Sequence, residues 1–465
     1  MTPSLDPWIQ ELQPHLHLGD KRLTNRCLLM MQRMTDNPTA STNGTADGQA
    51  EAKAAYRFLS NHAVTPEAIY EAMRQTCVER INEHELVLAI QDTTSLDFTT
   101  HRATGGLGPI GGGDGSLGRG LLAHTAFAVS SDGVPLGILD QKVWTRDDQT
   151  AGISEQRRQR PLEDKESFRW IETMRAVEAA VPSHVAVLHV ADREGDIFEL
   201  FAEPRRPNSY VLVRVAHPTR RIVEAPGHLG EAVLAAPLEC TLDIIVPRGA
   251  TRPARRATLE VRVCPMQLRP PQNGVHDAKL APVAVTAVLV KEVGAPAGVP
   301  PIEWLLVTDA PLPAYGAGEQ VVCWYKLRWL IERFHYTLKS GCRIEASQLR
   351  TAEGLQRLLA LYCLVAFRLL WLTYEARENP EAPCTVAFAE VEWHVLWIYH
   401  HRGKPLPAEP PTLQEAVRYV ARLGGFKARK CDGEPGVKVL WTGLMRLQDI
   451  ATGFLLPRPQ DVGKD

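Results

Sequence analysis

Two apolar runs that lead into aspartates constrain the fold of this chain more than any other feature of the sequence. LVLAI at residues 86–90 leads into Asp92, and HVAVLHV at residues 184–190 leads into Asp192. Runs this short and this uniformly apolar are typical of strands that are buried on both faces of a sheet. The sequence therefore predicts an α/β core in which two buried strands each deliver an aspartate at or near a carboxyl end.

The rest of the chain divides by local pattern. Residues 1 to about 70 show helical patterns, with Asp20 and Thr65 as predicted N-caps. Short strand-like segments fill residues 205–310, and helical patterns resume at about 318 and continue toward the end. The predicted fold class is α/β with a β-rich block, flanked by helical regions at both ends.

Composition excludes some functions and leaves others open. The chain of 465 residues has 45% hydrophobic and 23% charged residues, a net charge of −2 and a pI of about 6.7, so overall charge does not indicate nucleic-acid binding. Local basic patches occur at 155–161, 213–223 and 247–263, and solvated loops or strand edges are the alternative explanation of each.

Cysteine usage and hydropathy bear on the compartment. The nine cysteines form no C-x-x-C pair, which argues against a zinc ribbon or a disulfide framework and favours a reducing cytosol. The most apolar stretch, residues 355–374, is interrupted by Arg357 and Arg368. The uncharged run between them is too short to span a bilayer, so a buried helix is predicted and no membrane association.

The segment WYKLRWLIERFHYTLKSG at residues 324–341 is predicted to be a helix with an unusual polar side. Four polar residues are spaced by three, four and seven positions: Tyr325, Arg328, Glu332 and Lys339. At about 100° per residue they fall within about 60° of one another, and the opposite side carries an apolar stripe. A solvated face is the ordinary explanation of such a pattern.

Three carboxylates make a second explanation possible. Asp92, Asp192 and Glu332, from two strands and a helix, could hold two divalent cations for phosphoryl transfer, and Mg²⁺ prefers such sparse carboxylate sites. The alternative is that each aspartate caps the turn that follows it. Polar residues beside Glu332 would then hold phosphates, with arginine suited to bidentate contact.

These residues carry a resemblance to a known family. AIQDTTS, ADREGDI and YKLRWLIERFHYTLKSG resemble the three acidic motifs of bacterial insertion-sequence DDE transposases, and more narrowly the insertion-sequence-4 family and its Tn-5-like transposases. The last stretch matches the Tyr-x-x-Arg-x-x-x-Glu-x-x-x-x-x-x-Lys signature of that group at all four positions. LGDKRLTNR and AAYRFLSN resemble the end-recognition domain, PARRATLEVR and EWLLVTD the β-rich insertion, and WTGLMRLQDIATGF the dimerisation helix.

The resemblance implies an RNase H-like catalytic core interrupted by a β-rich insertion, flanked by N-terminal and C-terminal helical domains. Its expected parts are a DNA-end recognition domain at 1–70, a catalytic domain at 71–370 with the insertion at about 205–310, and a dimerisation domain at 371–465. It implies that Asp92, Asp192 and Glu332 are catalytic and hold two Mg²⁺ ions per active site, with Mn²⁺ as a substitute.

The resemblance also implies DNA contacts. Trp304 matches a tryptophan on which a flipped base stacks, and Arg22 and Arg26 match arginines that contact the end sequence. Phosphate contacts are expected from five further residues: Lys165, Arg193, Tyr325, Arg328 and Lys339. Two residues depart from the best-known member of the group, Leu23 in place of an arginine and Tyr336 in place of a lysine. These departures put the recognised end sequence in doubt and not the reaction.

The expected function is cut-and-paste transposition. The enzyme would bind double-stranded element ends as a homodimer in a synaptic complex, nick them, form and open a hairpin, and transfer the 3′ ends to target DNA. The implied location is the bacterial cytoplasm, with nucleoid association when DNA is bound. Two alternatives are an RNase H-like nuclease without strand transfer and a catalytically silent DNA-binding regulator.

Overall fold

The computed structural model describes most of the chain. The described residues are 6–46, 48–111, 118–147, 161–225, 227–246, 254–271, 280–429 and 432–456. Parts of two predicted basic patches, residues 155–160 and 247–253, lie outside the described residues.

Helices and one mixed sheet make up the described part of the chain. The α-helices are α1 Pro7–Leu12, α2 Lys21–Asp36, α3 Gln49–Leu59, α4 Pro66–Ile81, α5 Arg169–Ala180, α6 Phe198–Ala202, α7 Leu229–Ala235, α8 Ala317–Leu327, α9 Trp329–Tyr336, α10 Ala352–Glu378, α11 Glu390–His400, α12 Leu413–Leu423 and α13 Val437–Leu455. The strands are β1 Leu86–Asp97, β2 Gly108–Pro109, β3 Arg119–Ser130, β4 Pro135–Trp144, β5 Ala186–Ala191, β6 Ser209–Arg214, β7 Leu238–Val246, β8 Arg255–Leu268, β9 Val283–Val293 and β10 Glu303–Thr308.

The two apolar runs are adjacent parallel strands, as their composition predicts. β1 pairs with β5 in parallel, and the pairing ends at Ile90 and Val190. Both strands are buried along their apolar residues, and β5 pairs in parallel with β6 on its other side. The order β4-β3-β1-β5-β6, with β3 antiparallel to β1, is an arrangement that fits an RNase H-like core.

One expectation about β1 is wrong. The strand does not end near Asp92 but continues to Asp97, because β3 pairs with it antiparallel along its whole length, with Asp92 opposite Thr125. Asp92 therefore lies inside a strand and does not cap a turn. It stands just beyond the point where the neighbouring strand β5 stops.

The predicted β-rich block contains β6 to β10, as expected from its strand patterns. These strands extend the core sheet, because β10 pairs with β6 and the order then runs β10-β9-β8-β7. The antiparallel pairing of β8 with β9 covers Thr258 to Leu268. The block is thus continuous with the sheet that carries the aspartates.

Helix α10 is the central buried helix of the chain. By length and composition alone it could cross a membrane, but 89% of its most apolar window is buried inside the protein. Its two interrupting arginines are also buried: Arg357 donates hydrogen bonds to the carbonyls of Val64 and Leu59, and Arg368 pairs with Asp6. Both fasten α10 to the N-terminal helices.

The two predicted helix N-caps are confirmed. The predicted domain limits stay predictions. The Asp20 side chain accepts a hydrogen bond from the backbone N–H of Arg22, and Thr65 accepts one from Ala68. Residue 70 lies within α4 and residue 370 within α10. The proposed limits therefore fall inside helices.

Candidate active site

Asp92 and Asp192 lie at the same level of neighbouring parallel strands. Each follows by two residues the last paired position, Ile90 in β1 and Val190 in β5. Asp192 also caps a turn: its Oδ1 accepts a hydrogen bond from the backbone N–H of Glu194, at 2.8 Å. Asp192 therefore fits both explanations given for it from the sequence: it caps the turn that follows, and it lies at the carboxyl end of a buried strand.

The charges around Asp92 show that the three predicted carboxylates share one electrostatic environment. Burial, followed by the negative charges of Asp192 and Glu332, raises the pKa of Asp92 to about 7, while Arg328 acts in the opposite direction. Like charges that face one another disfavour ionisation. A divalent cation would relieve this repulsion, so the donor set suits Mg²⁺.

The carboxylates are not drawn together into a finished metal cage. Within the described ranges, no group of three histidine, cysteine, aspartate or glutamate side chains is arranged to hold a metal ion. One reason is visible at Glu332, whose Oε1 accepts a hydrogen bond from Nη2 of Arg328. Arg328 supplies the positive charge beside Glu332 in this structure.

The helix that carries Glu332 is not a single regular helix. α8 ends at Leu327, α9 runs from Trp329 to Tyr336, and a π-helical turn follows at Thr337–Gly341. A regular rotation of about 100° per residue therefore does not extend through the π turn, and the alignment of Lys339 with the other three residues stays a prediction. Lys339 lies in the π turn, with its Nζ 3.9 Å from Oε1 of Glu345.

The other three residues of that line do meet. The guanidinium of Arg328 lies over the ring of Tyr325, with 5.8 Å between its carbon and the ring centroid. The Tyr325 ring contacts Trp304 of β10 edge-on, with 5.6 Å between centroids. Trp304, Tyr325, Arg328 and Glu332 thus form a continuous row from the β-rich block to the carboxylates.

Tyr325 has an unusual hydroxyl. The side chain is buried, and its hydroxyl has no hydrogen-bond partner among the described residues. Burial raises the pKa of this hydroxyl, so it is a neutral donor. A buried polar group without a partner is costly and is often completed by a ligand.

His335 packs directly against the aspartate of β1. Its Nδ1 lies 3.6 Å from Oδ2 of Asp92. Burial lowers the pKa of His335 to about 3, so the contact joins a neutral imidazole to the carboxyl group and is not an ion pair.

The remaining predicted contacts are spread over other elements. Arg22 is exposed and Arg26 half-buried on α2, where Nη1 of Arg26 lies 3.8 Å from Glu51. Lys165 is half-buried between two 3₁₀ turns that precede α5, and Arg193 is exposed in the turn after Asp192. Arg193 is therefore close in sequence to a carboxylate, whereas α2 carries none of the three.

One residue beside the carboxylates was missed by sequence reasoning. Arg169, the first residue of α5, hydrogen-bonds to Thr93 and to Glu194. These partners flank the two aspartates in the sequence. No local spacing in the sequence relates Arg169 to them.

Known families match three parts of the chain. A transposase DNA-binding model matches residues 6–64, a transposase DDE domain model matches 311–368, and a transposase Tn5 dimerisation domain model matches 364–458. Among solved structures, the cryo-EM structure of the piggyBac transposase synaptic complex with hairpin DNA is 11% identical, with a TM-score of 0.36. That match covers 98% of this chain and 83% of the other.

Taken together, the three family models define a metal-dependent, DNA-cleaving transposase. The chain is a DDE transposase of the Tn5-like type. The models support DNA binding through the N-terminal part and dimer formation through the C-terminal part. The matched DDE segment contains Glu332 but neither Asp92 nor Asp192.

Proposed function

We propose that this enzyme carries out cut-and-paste transposition with Asp92, Asp192 and Glu332 as its catalytic carboxylates. It binds the element ends, nicks them, forms and opens a hairpin, and joins the 3′ ends to target DNA. The observation that carries the proposal is the position of Asp92 and Asp192, each two residues beyond the last pair of the parallel strands β1 and β5, and the charges of Asp192 and Glu332 both act on Asp92. Such coupling among groups at the end of a buried strand pair is characteristic of functional sites.

The three carboxylates would hold two divalent ions, Mg²⁺ or Mn²⁺. When bound, such ions supply an activated attacking oxygen and stabilise the leaving oxygen of an in-line displacement. Asp192 enters this arrangement with one oxygen already hydrogen-bonded to the turn, at Glu194. That bond orients the carboxylate and leaves its other oxygen for a ligand.

Arg328 connects the carboxylates to the DNA strand. It is paired with Glu332 in this structure, and its planar guanidinium is suited to a phosphate. A phosphate that engages Arg328 would release Glu332 for its catalytic role. The neighbouring hydroxyl of Tyr325, which lacks a partner here, would donate one hydrogen bond to the same strand. Lys339, Lys165 and Arg193 would add phosphate contacts along it.

Trp304 would hold the flipped base. Its ring is half-buried and rests edge-on against Tyr325, so a base stacked on it would stand beside the row that leads to Glu332. Flipping costs a few kcal/mol. Stacking on an aromatic side chain contributes about 1–3 kcal/mol per base, which is the right size to offset that cost.

The flanking helices would supply recognition and assembly. Residues 1–70 would read the element end through Arg22 and Arg26, and residues 371–465 would join two protomers in the synaptic complex. The catalytic domain would span 71–370, with its insertion at about 205–310. Such an enzyme would work in the bacterial cytoplasm and associate with the nucleoid through its DNA.

The test uses purified protein, Mg²⁺ and DNA carrying candidate ends from the repeats that flank its gene. Wild type should give hairpin and joined products on a denaturing gel, and Asp192→Asn and Glu332→Ala should give neither while still binding DNA. Asp97→Asn, on the same strand as Asp92 but outside the carboxylate set, is the matched control and should cleave normally.

Each failure has a distinct meaning. Cleavage retained in Asp192→Asn or Glu332→Ala would overturn the carboxylate assignment. Nicks without hairpin or joining in wild type would favour the nuclease alternative. Specific binding without any product would favour the silent regulator.

A further inference from the structure

The guanidinium of Arg169 bridges the residues next to the two aspartates. Its Nε donates to Oγ1 of Thr93 at 3.0 Å, and its Nη2 donates to Oε2 of Glu194 at 2.7 Å. Thr93 follows Asp92 directly, and the backbone N–H of Glu194 holds Asp192. One planar group therefore touches both aspartate-bearing segments.

The bridge lies where the sheet no longer fixes these segments relative to each other. Backbone pairing of β1 with β5 ends at Ile90 and Val190. Asp92 and Asp192 lie beyond that point, so their separation depends on side chains. Arg169 makes its two contacts beyond the last pair, at the level of the carboxylates.

Arg169 itself is held firmly. Its Nη1 donates to the carbonyl of Glu166 at 2.7 Å, and its side chain is only 14% exposed. The rings of Trp144 and Trp170 lie 5.8 Å from its guanidinium carbon. With all three guanidinium nitrogens hydrogen-bonded and two tryptophan rings beside it, the Arg169 side chain is fixed in one position.

The directions of the hydrogen bonds also connect Arg169 to the residue that precedes Asp92 in the chain. Arg169 can only donate, so the Thr93 hydroxyl accepts from it and donates its own proton to Nδ1 of His124, at 2.8 Å. Nε2 of His124 then carries a proton and donates to Oε1 of Gln91, at 3.2 Å. Both chain neighbours of Asp92 are thereby tied to one buried network.

We propose that Arg169 is a positioning residue that sets the separation of Asp92 and Asp192 for divalent-ion binding. The inference rests on the proposed function, because it takes these two aspartates as metal ligands. Arg169 acts on the residues beside them and touches neither carboxylate. Residues behind metal ligands typically change metal affinity or activity 10- to 100-fold when replaced.

The experiment measures binding of Mn²⁺ alone to the full chain, without DNA, by calorimetric titration. Arg169→Met should weaken Mn²⁺ binding about 10- to 100-fold. Arg169→Lys should bind Mn²⁺ nearly as weakly as Arg169→Met, because a single ammonium group cannot span Thr93 and Glu194 as the guanidinium group does. Arg175→Met, which replaces an arginine on the same helix whose side chain is 57% exposed, is the matched control and should bind Mn²⁺ as wild type does.

A second variant avoids disturbing the interior. Glu194→Ala removes one arm of the bridge at a side chain that is 61% exposed, and should weaken Mn²⁺ binding several-fold. Thermal unfolding of each variant checks that the fold is intact. If Arg169→Met does not fold, Arg169→Lys and Glu194→Ala carry the test.

The outcomes separate this inference from the proposed function. Unchanged Mn²⁺ affinity in Arg169→Met and Glu194→Ala, with loss of binding in Asp192→Asn, would overturn the positioning role alone. Unchanged affinity in Asp192→Asn would overturn the metal assignment itself. Wild-type Mn²⁺ affinity in Arg169→Lys would show that the positive charge is needed and the bridge is not. Loss of DNA binding in Arg169→Met with normal Mn²⁺ affinity would make Arg169 a phosphate contact. Either result would overturn the proposal.

Discussion

Replacing Asp92 with asparagine should stabilise the metal-free enzyme while abolishing DNA cleavage. Burial and the neighbouring charges of Asp192 and Glu332 raise the pKa of Asp92 to about 7, so ionising this group opposes folding. Asparagine has nearly the same shape and cannot ionise. The variant therefore removes a repulsion together with a proposed metal ligand.

The size of the effect follows from linkage. A folded pKa of about 7 against an ordinary value of 3.8 corresponds to about 4 kcal/mol at most, at about 1.4 kcal/mol per pH unit. The carboxyl is 18% exposed, and relaxation and solvent screening reduce the effect, so we expect about 1–3 kcal/mol. Because the folded pKa is raised, wild type loses this stability as pH rises from about 4 to about 7, and the variant does not.

The assay is urea unfolding in EDTA at pH 5 and pH 8. Asp92→Asn should exceed wild type in unfolding free energy, and the gain should be larger at pH 8. Asp97→Asn is the matched control on the same strand: hydrogen bonds from Thr99 lower the pKa of Asp97, so its replacement should give no gain. Adding Mg²⁺ should stabilise wild type and not Asp92→Asn. Equal or lower stability of Asp92→Asn at pH 8 would refute the reasoning.

Three further predictions concern other parts of the molecule. Trp304→Ala should reduce hairpin formation about 10- to 100-fold, the value of about 1–3 kcal/mol of base stacking, whereas Trp304→Phe should keep most of it; equal loss of first-strand nicking would argue against base flipping. Arg26→Ala should weaken binding to the element end and reduce the salt dependence by about one unit, and unchanged binding in filter or gel-shift assays would remove it from the interface. Arg368→Met should destabilise the protein by about 3–5 kcal/mol in urea unfolding, because burial already raises the pKa values of the carboxyl groups of Asp6 and Glu392 and the charge of Arg368 opposes that rise; a loss below about 1 kcal/mol would contradict this.

The strands that carry the aspartates could be predicted because burial on both faces leaves a strong sequence signal. The uniformly apolar runs before Asp92 and Asp192 are the adjacent parallel strands β1 and β5. The extension of β1 to Asp97 could not be predicted from the same signal, since residues 92–95 are half-buried and polar. Their strand geometry comes from pairing with β3, a contact distant in sequence.

The helix that carries Glu332 shows the limit of periodicity. Regular spacing predicts correctly that Arg328 and Glu332 meet, because residues four apart are neighbours on a helix. It does not predict the π-helical turn at residues 337–341, which contains Lys339 and gives no signal in the residue spacing. π-helical turns occur frequently at functional sites, and this one follows directly on the helix that carries Glu332.

Arg169 could not have been found from the sequence, because its role is defined by two distant partners. Thr93 and Glu194 are 76 and 25 residues away from it, and each looks like an ordinary turn or strand residue. Only the sheet brings both within reach of one guanidinium. Long-range contacts of this kind are the part of a site that local patterns do not contain.

The negative charges of the three carboxylates are compensated to different degrees. This difference explains how the site can be stable without a cation and still gain free energy when a cation binds. Asp192 is satisfied by a backbone N–H and Glu332 by Arg328, so both retain a partner before any metal or DNA arrives. The side chain of Asp92 packs against the neutral His335, and its pKa stays raised although Arg328 opposes the rise. The free-energy gain on binding a divalent ion should therefore arise mainly at Asp92. For this reason asparagine at position 92 is expected to stabilise the metal-free fold. Asparagine at position 192 would keep an acceptor oxygen for the turn, and would lose that hydrogen bond only if its amide nitrogen faced Glu194.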